Sequence, residues 1–303
     1  MNAPDRRISR YATDEVHLQQ ARVSVLANRP FSVIIYKVMK ILYVGDIMGR
    51  PGRETVKKVL PGLIEELKVD FVVAQGENLS DAKGMMIKAA EDMMAAGVNA
   101  FSGGNWTAKR EEIIPWLEDK TKPVVGPANM VEMPGPGYKI IDTPMGKVLV
   151  ASLLGQIVGY IHPEIENPLT TIDRILEETK NEKLVASVVN FHGDYSSEKL
   201  VIGDYLDGRV SIVVGDHWHV PTADARILPK GTGHITDVGM VGSRDSCLGV
   251  KTSVIIERWL TDQRSRNELE TEGVMQFCAV LFDIDTATRQ VKKLEQVIKF
   301  VEF

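Results

Sequence analysis

From residue 40 onward, short apolar runs alternate with segments of helical period, and each of several runs stops at residues able to ligate a metal or hold a phosphate. Ile41 to Val44, Phe71 to Ala74, Val148 to Leu153, Val185 to Asn190 and Ile212 to Val214 are compact and bounded by glycine or polar residues, as buried strands are. Between them, Glu54 to Lys68, Ile87 to Ala96, Lys109 to Glu118, Leu169 to Lys180 and Ser196 to Leu206 carry apolar residues at three- and four-residue steps. The alternation predicts βαβ units and a mostly parallel sheet for the first part of the chain. After about residue 210 the pattern reads as strand-rich, with Lys251 to Trp259 and Val274 to Asp283 as a hairpin-like pair joined by the polar loop Thr261 to Gly273.

The first 38 residues differ. Arg6, Arg7, Arg10, Arg22 and Arg29 lie among polar residues with little apolar period, and Asp5, Asp14 and Glu15 argue against a mitochondrial-type targeting segment. The reading is a weakly ordered extension over 1–38, or an upstream start, followed by one domain over 39–303 that opens at Met39 with its first core strand. The competing reading is one longer strand from Phe31 to Val44, since Val33, Ile34 and Ile35 are strong β formers.

Composition narrows the classes of function. Lys plus Arg total 36 against 41 Asp plus Glu, a net charge of -5, so the basic excess that an extended nucleic-acid partner demands is missing. A small anionic ligand remains open, because a metal ion can supply local positive charge. The two cysteines, Cys247 and Cys278, sit in or beside apolar runs and cannot build a disulfide framework or a thiolate metal site, which points to a reducing, cytoplasmic setting. No apolar stretch reaches the roughly 18 residues of a membrane span.

Open α/β sheets place ligands at strand ends, and that is where the chemistry collects. The runs lead into Gly45-Asp46, Gly76-Glu77-Asn78, Gly103-Gly104-Asn105-Trp106, Asn190-Phe191-His192 and Gly215-Asp216-His217-Trp218-His219. Four of the six histidines, His192, His217, His219 and His234, fall between positions 192 and 234. His217 and His219 alternate, so on an extended segment both imidazoles face one side. Imidazole with carboxylate suits Zn, Mn or Fe, and carboxylate bridges two such ions. Singly, Asp46 reads equally as a helix cap, Glu77, Asn78 and Asn105 as turn residues, and His192 as a satisfied core histidine. Their recurrence at successive strand ends favours a metal site. Lys83-Gly84 reads as a phosphate contact or a solvated loop, and His234 as a packed residue or a proton donor. Gly45, Gly49 and Gly52 miss the spacing of a dinucleotide fingerprint, which leaves an oxidoreductase a weak alternative.

In order and spacing these motifs resemble those of calcineurin-like metallophosphoesterases and, more narrowly, the YmdB-like branch. The tracts Ser197-Glu198-Lys199, Leu206 to Ser211, Thr222 to Pro229 and Ile235 to Met240 are similar to that branch as well, so the likeness runs from about Met39 to the C-terminus. The resemblance implies an α/β fold, a two-sheet β-sandwich flanked by helices. It implies two divalent ions (Mn, Fe or Zn), with Asp46, Asn78 and His219 on one, Asn105, His192 and His217 on the other, and Glu77 bridging. It implies hydrolysis of a small phosphodiester, including 2',3'-cyclic nucleotides, by a metal-bridging hydroxide, in a homo-oligomer. Asp46-Ile47-Met48 replaces the wider superfamily's Asp-x-His, as in the YmdB-like branch. A second departure bears on chemistry: Trp106 stands where the family has a histidine that serves the leaving group or the phosphoryl oxygens. Indole has no proton titrating near neutrality, so acid catalysis from this position is lost. The alternative reading is therefore a metal-binding, catalytically weakened member acting as a nucleotide-binding or regulatory protein.

Overall fold

The computed structural model describes residues 37–302 apart from 160, 161 and 264. The expected extension falls outside the described residues except for Lys37 and Val38, and so does the Phe31 to Tyr36 part of the longer-strand alternative. In chain order the elements are β1 (Val38–Val44), β2 (Asp46–Ile47), α1 (Gly49–Leu67), β3 (Phe71–Gln75), α2 (Ile87–Ala95), β4 (Ala100–Ser102), α3 (Ile114–Glu118), β5 (Tyr138–Thr143) and β6 (Gly146–Leu154). They continue with α4 (Pro168–Glu178), β7 (Leu184–His192), α5 (Ser196–Leu206), β8 (Ile212–Asp216), β9 (Arg226–Ile227), β10 (Gly233–Ile235), β11 (Met240–Ser243), α6 (Thr252–Thr261), β12 (Val274–Asp285) and β13 (Val291–Glu302).

The strands form two sheets. One runs β2-β11-β12-β1-β3-β4 with β13 also on β12, and the other runs β5-β6-β7-β8-β10-β9. Within the first, β1, β3 and β4 are parallel while β12 is antiparallel to β1, β11 and β13. Within the second, β6, β7, β8 and β10 are parallel, with β5 and β9 antiparallel at the edges. The parallel pairing expected for the first part of the chain is found in β1, β3 and β4, each sheet adds antiparallel strands, and the αββα sandwich implied by the family resemblance is the architecture found.

Burial explains the layering. Alternate residues of β1 face opposite ways, so Leu42 and Val44 pack with Val56, Leu60 and Met93 of α1 and α2, while Ile41 and Tyr43 meet Val150, Val188 and Val214 of the second sheet. Leu149, Val189 and Val213 then carry Ile172 of α4 and Ile202 of α5 on the outer face.

Two expected elements differ. The Lys251 to Trp259 segment is the helix α6, and the strand that pairs with β12 is β13. Val254, Ile255 and Ile256 are β-branched and suggest a strand, but no residue of α6 is buried, so it has no sheet to join. The expected helix from Lys109 to Glu118 is broken into 3-10 turns, Thr107–Lys109 and Glu111–Ile113, before α3. Pro115 lacks a backbone N–H and suits a first helical turn, so the helix begins around it.

Candidate metal centre

Asp46 in β2 is fully buried just beyond β1. Its Oδ2 accepts a 2.8 Å hydrogen bond from Asn78 Nδ2 and lies 3.1 Å from His219 Nε2, while Oδ1 is buried without a partner. Glu77, past the end of β3, is fixed from two sides: its backbone N–H donates to Gln75 Oε1 at 2.7 Å, and its Oε2 accepts from the Trp106 backbone N–H at 3.1 Å. Glu77 Oε1 in turn stands 3.3 Å from Asn78 Nδ2 and 3.4 Å from His192 Nε2. The carboxylate therefore lies between an Asp46–Asn78–His219 group and a His192–His217 group.

His192, the last residue of β7, has Nδ1 2.9 Å from Asp216 Oδ1, which turns Nε2 toward Glu77 with no hydrogen bond of its own. The His217 ring meets the His192 ring edge-on, centroids 4.6 Å apart. Ligand atoms of Glu77, His192 and His217 all lie within 4.8 Å of one another. Asn105, beyond β4, contributes a buried and unpartnered Oδ1. Close packing here leaves no room for a side chain at Gly104, where a Cβ would lie 2.4 Å from Glu77 Oε2 and 2.5 Å from the His192 ring.

His217 and His219 converge by a different route from the extended segment expected. β8 ends at Asp216, and both histidines take positive φ, 100° and 62°, a conformation costly for residues with a Cβ. The turn sends His217 toward His192 and His219 toward Asp46. It is held by a buried pair that sequence reasoning missed. Lys199 of α5 donates to the Asp216 carbonyl at 2.6 Å and to Asp237 Oδ2 at 3.1 Å, and its ammonium lies 3.9 Å over the Trp218 ring. Asp237 also accepts from the Trp218 and Gly239 backbone N–H groups. Asp194, 3.3 Å from His217 Nε2, and Asp216 were likewise not singled out, although Asp216 directly precedes the histidine pair.

Carboxylates crowded out of water set the electrostatics. Burial, helped by Asp46 and Asp216, pushes Glu77 up to about 7 despite the opposing His192. Burial works against a charge on His192, yet Glu77 and Asp216 outweigh it and raise the imidazole to about 9. His217, desolvated and beside His192 and His219, is lowered to about 2. Such concentrated negative charge with unsatisfied acceptors fits divalent cations in chemistry and position.

The centre opens into a cavity of about 670 Å³ lined by Glu77, Asn78, His217 and His219 within and by Trp106, Trp218, Leu248 and Arg258 further out. Lys83 holds its ammonium 4.1 Å over the Trp106 ring. His234 does not line this cavity; it is buried in β10 against Gly203 of α5, which removes it as a substitute proton donor. Cys247 borders the cavity, and the buried Cys278 thiol is pushed up to about 12 by desolvation; both are free. Among the described residues no helix is long and apolar enough to cross a membrane.

The two-sheet α/β fold flanked by helices is that of metallophosphoesterase-type phosphatases. The chain belongs to the YmdB-like family, whose model, described as YmdB-like protein, matches residues 42–297. It is 37% identical over 261 residues to the 2',3'-cyclic-nucleotide 2'-phosphodiesterase of Bacillus subtilis (strain 168), an alignment covering 86% of this chain and 97% of that relative. A crystal structure described as a novel phosphatase of Mycoplasma pneumoniae superposes with a TM-score of 0.80 at 29% identity, covering 88% of this chain and 95% of that one. That of a hypothetical protein from Thermus thermophilus gives 0.78 at 32% identity, covering 86% and 99%. These relatives agree with the expected hydrolase class, a phosphoesterase.

Proposed function

We propose that the chain is a dinuclear-metal phosphodiesterase acting on small phosphodiesters, with 2',3'-cyclic nucleotides as the leading substrate class. The observation that carries this reading is the pair of buried, unpartnered polar atoms Asp46 Oδ1 and His192 Nε2 on side chains that flank the Glu77 carboxylate, with a third such atom, Asn105 Oδ1, on the residue preceding Trp106. Asp46, Asn78 and His219 would hold one divalent ion, Asn105, His192 and His217 the other, with Glu77 shared; Mn, Fe and Zn all suit these donors. The similarity to the Bacillus subtilis enzyme supports the substrate class.

Bound cations supply Lewis-acid stabilisation of a phosphoryl group and make water a nucleophile at neutral pH. The side chains do the rest. Asp216 accepts from His192 Nδ1 and so fixes which nitrogen faces the centre. The Trp106 backbone N–H orients Glu77, while its indole side chain carries no transferable proton. Proton donation of this kind is worth roughly 100- to 10,000-fold, so good leaving groups should turn over while poor ones suffer most. The test is hydrolysis of a 2',3'-cyclic nucleotide with added Mn(II), beside His192→Ala; activity untouched by that substitution removes the mechanism.

Trp106 also favours a second reading, a metal-bearing protein that binds nucleotide without cleaving it. Metal at full occupancy with no hydrolysis above background is its signature. In either case we place the protein in the cytoplasm as a homo-oligomer without extended nucleic-acid partners. Free Cys247 and Cys278, the net charge of -5 and the exposed Ile256, Trp259 and Leu260 of α6 support this.

A further inference from the structure

Arg258 is the cationic side chain among the residues that line the cavity; the formally charged groups beside it there are the carboxylates of Glu77 and Asp194. It projects from α6, a helix with no buried residue, so core packing does not account for its orientation. One nitrogen, Nη2, is tethered to the Ser265 carbonyl at 2.9 Å and to Asn267 Oδ1 at 2.9 Å. Its Nε is buried and lacks an acceptor, and no carboxylate among the described residues forms an ion pair with the guanidinium. A tethered guanidinium without a carboxylate partner, among the residues that line the cavity, suits a phosphate oxygen.

We propose that Arg258 is a substrate-binding residue that takes a phosphate oxygen of the ligand in this cavity, with Asn267 and Ser265 as its positioning groups. The inference rests on the phosphodiesterase reading for the identity of the substrate, though not for the binding of phosphate itself. The oxygen belongs either to the scissile phosphodiester or to a second phosphate of the same nucleotide.

The experiment uses the full chain purified with Mn(II), with Arg258→Gln, Arg258→Lys and Asn267→Ala. Calorimetric affinity for inorganic phosphate is measured together with KM and kcat for adenosine 2',3'-cyclic phosphate with and without a 5'-phosphate. Loss of a charge-assisted hydrogen bond should weaken phosphate binding or raise KM about 10- to 100-fold in Arg258→Gln, with kcat changed far less and partial rescue in Arg258→Lys. A rise for both nucleotides assigns the scissile group, and a rise confined to the 5'-phosphorylated one assigns the second phosphate. Unchanged phosphate affinity and unchanged KM in Arg258→Gln overturn the proposal. So does a fall in kcat as large as the loss of phosphate affinity in both Arg258→Gln and Asn267→Ala, without rescue by Arg258→Lys, since that marks a purely structural role. If the wild type cleaves neither nucleotide, the phosphodiesterase reading fails, while the phosphate affinities still decide the role of Arg258.

Discussion

Replacing Lys199 by Met should destabilise the protein by about 3–5 kcal/mol, because it leaves the Asp237 carboxylate buried without its cation. Both side chains are fully buried, 3.1 Å apart. At an effective dielectric of about 20 their attraction is about 5 kcal/mol, of which desolvation of the two charges offsets a large part. Removing one partner deletes the attraction and retains the desolvation of the other, so the cost exceeds the net worth of the pair. Lys199 also holds the Asp216 carbonyl, so the loss reaches the turn that carries His217 and His219. The assay is a double-mutant cycle by urea unfolding over Lys199→Met, Asp237→Asn and the double variant. The double variant should recover at least about 2 kcal/mol relative to the sum of the singles. A cost below about 1 kcal/mol for Lys199→Met, or strict additivity, would refute the reasoning.

Gly104→Ala should abolish metal retention while the chain still folds, since the added methyl group meets Glu77 and His192; metal analysis with circular dichroism checks both. Trp106→His should raise turnover of esters with poor leaving groups by up to about 100-fold and leave activated esters little changed, as read by comparing alkyl and nitrophenyl substrates. Burial lowers the His234 imidazole below its ordinary value, although Asp224 opposes the shift. The unfolded chain therefore takes up that proton near pH 6.5 and the folded chain only lower, so stability declines as pH falls below about 6.5, by at most about 1.4 kcal/mol per pH unit. Urea titrations at pH 7 and 5 should show a shallower decline in His234→Gln.

Strands whose residues are buried on both faces were legible because nothing but a compact apolar run can occupy them, and their polar ends stood out against it. Asp46, Glu77, Asn78, Asn105 and His192 lie where those runs stop. The α6 helix was illegible because Val254, Ile255 and Ile256 carry a β signal that only the missing neighbour strand contradicts. In β13 exposed Lys292, Lys293 and Lys299 dilute the apolar alternation that marks an edge strand. Asp216, Lys199, Asp237 and Arg258 received no role from the sequence for another reason. Asp216, Lys199 and Asp237 act through partners distant in sequence, so no local spacing marks them, and the left-handed turn at His217 and His219 is held by Lys199 and Asp237; Arg258 is held across a loop by Asn267, in a segment whose helix was itself not legible.

Side chains from both sheets meet around Glu77, and everything proposed for the chemistry follows from the proposal that they hold two cations there. Metal content per chain after Mn(II) loading and exhaustive desalting, measured by plasma mass spectrometry on the wild type, His192→Ala and His219→Ala, tests it most directly. Two ions are expected in the wild type and about one in each variant. A wild type that retains none, or variants that keep both, would contradict it.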